Sequence, residues 1–270
     1  MHDDDLLFER RGAVALITFN RPAVLNALRG ETVVALHEVL HAVEQDAGLR
    51  AVVLTGNGRA FSTGRDLKEE DALTATSIVR DAVLATIEQY QELTRRLTRM
   101  NKVVISALNG VAVGIGAELA TASDIRLASP EARIAFPEVR RALFLTNGVL
   151  YRLPRIVGLG RAADWILSGR IVEAGELLSS GFVSRIVASD LLVASALETA
   201  ETIAANAPVS LRLAKELLGR AYEVDLEMML ELERDALADC IETEDYREGM
   251  NAFLEKREPN YTNKGIGIGG

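Results

Sequence analysis

Cysteine is almost missing from the sequence: Cys240 stands alone among 270 residues, which excludes an internal disulfide and any cysteine-based zinc spacing. Aromatic residues make up only 5 % of the chain, and no apolar run is long enough to span a bilayer. Positive charge is also short, with 30 Lys and Arg against 39 Asp and Glu, a net charge of −9. Nucleic acid is therefore a poor general partner, since phosphate backbones are bound by positive surfaces. One local basic site for a phosphorylated small molecule stays compatible with that balance. The first residues, MHDDDLLFERR, are acidic where a secretory leader is basic, so the expectation is a soluble cytoplasmic protein. What is plentiful is apolar side chain, 49 % of the residues, enough for a sizeable core in one large domain or in a core with an appendage.

Strands and helices alternate through the first two thirds. Gly12–Asn20 reads as a strand closed by Arg21-Pro22, Glu31–Gln45 as an amphipathic helix, and Arg50–Thr55 as a buried strand. A glycine-punctuated loop, GNGRAFSTGRD, follows, then a helical stretch over about 71–100. Further strands are predicted at 102–108, 124–128, 133–136 and 182–187, with helical pieces at 147–157, 160–168 and 173–180. Such alternation indicates an α/β layer structure with mainly parallel pairing. From about residue 190 the pattern is helix only. A helix over 224–243 carries Leu226, Met229, Leu230, Leu237 and Ile241 as an apolar stripe that must be buried on the core or on another subunit. The glycine-rich end, GIGIGG, reads as disordered.

The chain is organised around residues 102–118, KVVISALNGVAVGIGAE. A buried strand, an Asn-Gly turn and a glycine-flanked helix start bring unpaired backbone N–H groups beside the positive end of a helix dipole. That position suits an oxygen that becomes negatively charged, and Glu118 lies one turn in. The plain alternative is glycines that only let the helix pack closely. The 59–67 loop also leaves a buried strand, so two backbone N–H groups from two loops can converge on one oxygen if the strands are neighbours. Pro137-Glu138 offers a second carboxylate, against the default of an exposed surface glutamate. His37-Glu38-Val39-Leu40-His41 matches the zinc-protease pattern H-E-x-x-H. It reads instead as a solvated helix face, because both histidines lie off the apolar stripe and only His2 remains as a third.

Several segments occur together in the order of one superfamily: NRPAVLNAL (20–28), AFSTGRDL (60–67), NGVAVGIGAELATASDIRLAS (109–129), FPE (136–138), LSGRIVEAGELLSSGFVSRIV (167–187) and EDYREGMNAFLEKREPNY (244–261). Over about residues 12–261 the chain resembles the crotonase, or enoyl-CoA hydratase/isomerase, superfamily. The resemblance implies an α/β fold, a crotonase-like (ClpP/crotonase) spiral of ββα units in two roughly perpendicular sheets. It implies a core with the acyl-CoA site over residues 1–195 and a C-terminal helical region over 196–270 for oligomerisation, as a homotrimer or a dimer of trimers. It also implies an acyl-CoA substrate, no cofactor beyond the CoA moiety, and no metal.

Carried over by position, the oxyanion-hole N–H groups belong to Ser62 and Ile115. CoA would meet Ala23 and Leu25, the loop with Ala60, Ser62, Gly64, Asp66 and Leu67, and Phe253 and Lys256. Glu118 and Glu138 match the two glutamates of hydratases, which add water syn across the double bond of a trans-2-enoyl-CoA in fatty-acid β-oxidation. Retention of both favours hydration over Δ3,Δ2 isomerisation, thioester hydrolysis or a non-catalytic acyl-CoA-binding role. One segment departs from the hydratase pattern: after Glu138, Ala142 stands for a glycine, Leu145 for a proline, and Thr146-Asn147 where glycine is common. A reshaped acyl pocket and water site are expected there.

Overall fold

The computed structural model describes residues 5–66 and 79–262. An antiparallel pair, β1 (Leu6–Arg11) and β2 (Val14–Phe19), opens the core, and helix α1 (Gly30–Gln45) follows. The chain then repeats one unit. A long strand is followed by a short one and a helix: β3 (Ala51–Gly56), β4 (Ala60–Ser62) and α2 (Val79–Arg99). The next unit is β5 (Val103–Leu108), β6 (Val111–Val113) and α3 (Ile115–Ala122), and β7 (Ile125–Ala128) with β8 (Arg133–Ala135) begins another. Helices α4 (Val149–Val157) and α5 (Leu159–Ser168), strand β9 (Val172–Glu173), helix α6 (Ala174–Ser179) and strand β10 (Arg185–Ile186) complete the spiral.

The long strands form a six-stranded sheet in the order β1-β2-β3-β5-β7-β10, and the short ones a second sheet, β4-β6-β8-β9. Pairing is parallel except at β1/β2 and β8/β9. Parallel strands covered on both faces read as continuous apolar runs, and β3 obeys this, with Ala51 to Leu54 all buried. The two-residue period divides them. Val52 and Leu54 enter the main core with Phe61 and Trp165, whereas Ala51 and Val53 face a second cluster closed by helix α7 (Leu192–Ala204) through Leu192, Ala196 and Ala200. Beyond α7 the described chain is helical: α8 (Pro208–Arg220), α9 (Leu226–Ile241) and α10 (Glu244–Glu255).

The sequence pattern predicts most long elements to within a few residues. It does not predict β1, whose acidic approach hides a strand with only Leu6 buried, nor the three-residue strands β4 and β6, too short to show a period. The strand expected over 182–187 shrinks to Arg185–Ile186, with Phe182 and Val183 packed into the core ahead of it. The first part of the helical stretch, residues 71–78, and the GIGIGG end lie outside the described residues.

Candidate active site

The second sheet places the site, because β4 and β6 pair in parallel and deliver their exit loops side by side. The approach is close enough to exclude side chains. A Cβ on Gly116 would lie 2.1 Å from the Ser62 carbonyl oxygen. One on Gly64, whose φ of +80° already favours glycine, would lie 3.1 Å from the Ile115 nitrogen. The Ser62–Gly64 backbone therefore rests directly against the start of α3. Ile115 is the first helical residue there, with Gly114 as its cap, so its N–H has no partner within the helix.

The loop is stitched from below by residues 20–28. Ser62 Oγ donates to the Asn26 carbonyl at 2.8 Å, and Asn26 Nδ2 donates to the Ala60 carbonyl at 2.7 Å. The Thr63 N–H reaches the Leu25 carbonyl at 3.1 Å and the Leu28 N–H that of Gly64 at 2.7 Å. Leu25 is half-buried with φ +57°, and Ala23 beside it is exposed. Arg21 donates to an Asp66 carboxylate oxygen at 2.8 Å, an ion pair that ties the two segments. Leu67 lies outside the described residues. Phe253 and Lys256, the latter capping α10 at φ +55°, are exposed and lie outside the cavity described next.

Glu118 and Glu138 line one cavity of about 250 Å³, together with Gly114, Ile115, Arg141 and Phe144. Glu118 is 2 % exposed, and Glu138 brings Oε1 to 2.9 Å from where a Gly114 Cβ would be. One oxygen of each, Glu118 Oε1 and Glu138 Oε2, is buried with no hydrogen-bond partner among the described residues. Burial pushes the Glu118 carboxyl up to about 7, the Glu138 charge adds to that, and hydrogen bonds from Asn147 and from the main chain of Asn147 and Thr146 pull against it. Burial likewise raises Glu138, opposed by its own main-chain N–H and the Arg141 charge. Two such groups, each short of solvent, share one proton more readily than they carry two charges.

Two residues here escaped the sequence reading. Arg141 follows Glu138 by one helical turn, and Asn147 donates through Nδ2 to Glu118 Oε2 at 2.6 Å. Neither announces itself in a single sequence, although Asn147 falls in the segment that departs from the hydratase pattern. Ala142, in the glycine position of that pattern, keeps the left-handed conformation with φ +53°.

The zinc-like motif takes a different place from the one expected in one respect. His37 is half-buried rather than solvated, with its ring Nε2 3.0 Å from the Gln89 carbonyl of α2, and burial lowers its pKa. His41 is exposed. Among the described residues, no three His, Cys, Asp or Glu side chains gather as a metal-binding group.

Two carboxylates and the start of α3 line one cavity on a spiral of ββα units, an arrangement able to move a proton beside a polarised oxygen. The comparisons give that class its family. The sequence profile of the enoyl-CoA hydratase/isomerase family matches residues 9–264, and this chain belongs to that family. A short-chain-enoyl-CoA hydratase of Clostridium acetobutylicum is 36 % identical over 96 % of this chain and 97 % of its own. The 2,3-dehydroadipyl-CoA hydratase of Escherichia coli is 35 % identical over 95 % and 98 %. An enoyl-CoA hydratase crystal structure from Bacillus anthracis superposes with a TM-score of 0.91 at 34 % identity, covering 96 % of this chain and all of that one. The fold is the crotonase fold.

Proposed function

We propose that this enzyme adds water syn across the double bond of a trans-2-enoyl-CoA thioester. The observation that carries the reading is the one cavity shared by Glu118 and Glu138, each with a buried oxygen that finds no hydrogen-bond partner among the described residues. The thioester oxygen sits between the Ser62 and Ile115 N–H groups, where charge developing on it as an enolate is stabilised. Glu118 takes a proton from water as the hydroxyl oxygen bonds to C3, and Glu138 gives a proton to C2. Glu118 is then protonated and Glu138 ionised. Passage of one proton from the first to the second, across the cavity they share, restores the starting state.

CoA lies along the two stitched loops at Ala23, Leu25, Ala60, Gly64 and Asp66, of which Ala23 is exposed and Leu25 and Asp66 are part-buried, and Leu67 follows them in sequence. Phe253 and Lys256 approach the CoA phosphates from a neighbouring subunit. The C-terminal helices carry the contacts between copies, in a homotrimer or a dimer of trimers, and the protein works in the cytoplasm. Exposure of Leu226, Leu230, Leu237 and Ile241 along α9 supports such a cover.

A panel of trans-2-enoyl-CoAs of differing chain length, polarity and ring content tests the reaction. Loss of the conjugated thioester absorbance, with a 3-hydroxyacyl-CoA as product, is the expected result. Appearance of that absorbance from a 3-enoyl-CoA, without hydration of any 2-enoyl-CoA, replaces hydration by isomerisation. Binding of CoA thioesters with no turnover of either kind removes both.

A further inference from the structure

Glu118 is gripped by a side chain to which the proposed chemistry gives no part. Asn147 is 2 % exposed, and its amide nitrogen is 2.6 Å from Glu118 Oε2. Among the described residues, the buried side-chain polar atoms without a hydrogen-bond partner are Glu118 Oε1, Glu138 Oε2 and Asn147 Oδ1. In folded proteins such atoms are few, and a group of them belonging to two facing acids and their neighbour marks a place reserved for a polar occupant. Asn147 is itself held. Gln91 of α2 donates to the Thr146 carbonyl at 2.9 Å and Thr94 of α2 to the Asn147 carbonyl at 3.4 Å, so the long helix fixes the segment that carries the amide.

We propose that Asn147 is a positioning residue for the hydration, anchoring Glu118 through Oε2 so that Oε1 is the oxygen that receives the proton of water. The inference rests on the hydratase reading. A carboxylate with one oxygen tethered no longer rotates to present either one, and fixing that torsion removes non-reactive orientations from the ground state. The same bond favours the ionised form, because an amide N–H donates to a carboxylate more strongly than to a neutral carboxyl. Burial works the other way, so Asn147 sets where on the pH scale Glu118 becomes a base.

Two rivals for that effect, the main-chain N–H groups of Asn147 and Thr146, also favour the ionised Glu118, and both remain when the Asn147 side chain is replaced. Among the described residues, Glu138 is the one charge that acts on Glu118 directly, and Arg141 acts on Glu138. Arg65 lines the same cavity, while α2 contributes Val83 and Ile87 to it. Arg152 of α4 donates to the Thr121 carbonyl, at the far end of α3. From β4 and β6, Ser62 and Val113 bring no charge.

The test compares wild type with Asn147→Leu and Asn147→Asp, two substitutions close to asparagine in size. With a 2-enoyl-CoA that the wild type hydrates, kcat falls about tenfold or more while KM stays within about threefold. The acid limb of kcat/KM moves up by about one pH unit in the leucine variant, the scale of one lost charge-assisted bond, and further in the aspartate variant, which adds a like charge. Infrared titration of the carboxyl band that Glu118→Gln removes moves in the same direction. If limb and band keep their wild-type positions in a folded variant, the proposal is wrong, and the aspartate variant decides if the leucine variant does not fold. A wild type inactive on every enoyl-CoA overturns the hydratase reading instead, and the infrared titration then still decides whether Asn147 governs Glu118.

Discussion

Two helices of this chain, α3 and α9, put their apolar residues to opposite uses. All eight residues of α3 are buried, including Glu118, and neighbouring elements cover every side. None of the sixteen residues of α9 is buried, and Leu226, Leu230, Leu237 and Ile241 are exposed along it. An acid inside the first helix is costly to the fold and useful to chemistry. An apolar row outside the second is costly to a lone chain and useful to assembly. The contrast predicts that damage to the core abolishes turnover or folding, whereas damage to the tail separates copies and leaves each one folded.

The largest effect falls on the acids. Glu118→Gln and Glu138→Gln each lower hydration by about 10² or more, the scale of losing general acid–base help, with CoA binding intact. The first also has a stability signature with a definite sign. The folded state raises the Glu118 pKa from 4.5 to about 7, so the native protein holds that proton more tightly than the unfolded chain. Wild-type stability is therefore fullest below the unfolded value and declines as pH rises through that window. Glu118→Gln lacks this loss. Its stability gains on wild type between those two pH values, by about 3 kcal/mol at most for a group this buried, and levels off above. Denaturant titrations at several pH values check it, and a constant difference would contradict the burial argument.

Close packing of the two loops comes next. In Gly116→Ala the added carbon would sit 2.1 Å from the Ser62 carbonyl, which is backbone and cannot turn aside. The expected cost is about 2–4 kcal/mol of stability, or a displaced loop and lost turnover if the fold absorbs the strain. Urea unfolding together with an activity assay separates these outcomes. An alanine variant that is as stable and as active as wild type would mean that the loops do not meet as described.

The sequence carried this part of the molecule unevenly. The long strands and the glycine-bounded start of α3 were legible because buried strands and helix openings leave local patterns. The pairing of β4 with β6, which brings Ser62 to Ile115, was not, since three-residue strands have no period and their partner is distant in the chain. Glu118 and Glu138 stood out through their neighbours and the family resemblance. Asn147 did not, because one asparagine after a turn says nothing about a carboxylate 29 positions earlier. The sequence places His37 on solvent for a similar reason, whereas it is part-buried against Gln89. The stripe on α1 shows which side faces the sheets but not that α2 also lies across its shoulder.

Assembly is the next test of the contrast. Replacing Leu230 and Leu237 by serine on α9 removes apolar surface that the lone chain leaves exposed, so the fold of each copy loses little, about 0.5 kcal/mol or less. If the row covers a second copy, the variant sediments as a smaller species, with 29.3 kDa as its lower limit. Unaltered mass with unaltered activity would assign the contacts between copies to another surface.

The smallest effect lies at the start of that same helix and distinguishes its internal order from its docking. Asp225 caps α9, its carboxylate accepting the Met228 N–H at 2.9 Å, and the next helix is capped the same way by Thr243 and the Tyr246 N–H at 3.1 Å. An N-terminal cap satisfies a donor that the helix itself leaves unpaired, and its loss costs about 1 kcal/mol. No α9 residue is buried within the chain, so Asp225→Ala finds little packing to hold the first turn together. In the dissociated serine variant the cap loss appears as faster amide exchange over the first turn of α9. If α9 docks on a neighbouring copy in the wild type, that contact suppresses the same fraying. Equal exchange in both backgrounds would show that assembly leaves the start of α9 as free as it is in a single copy.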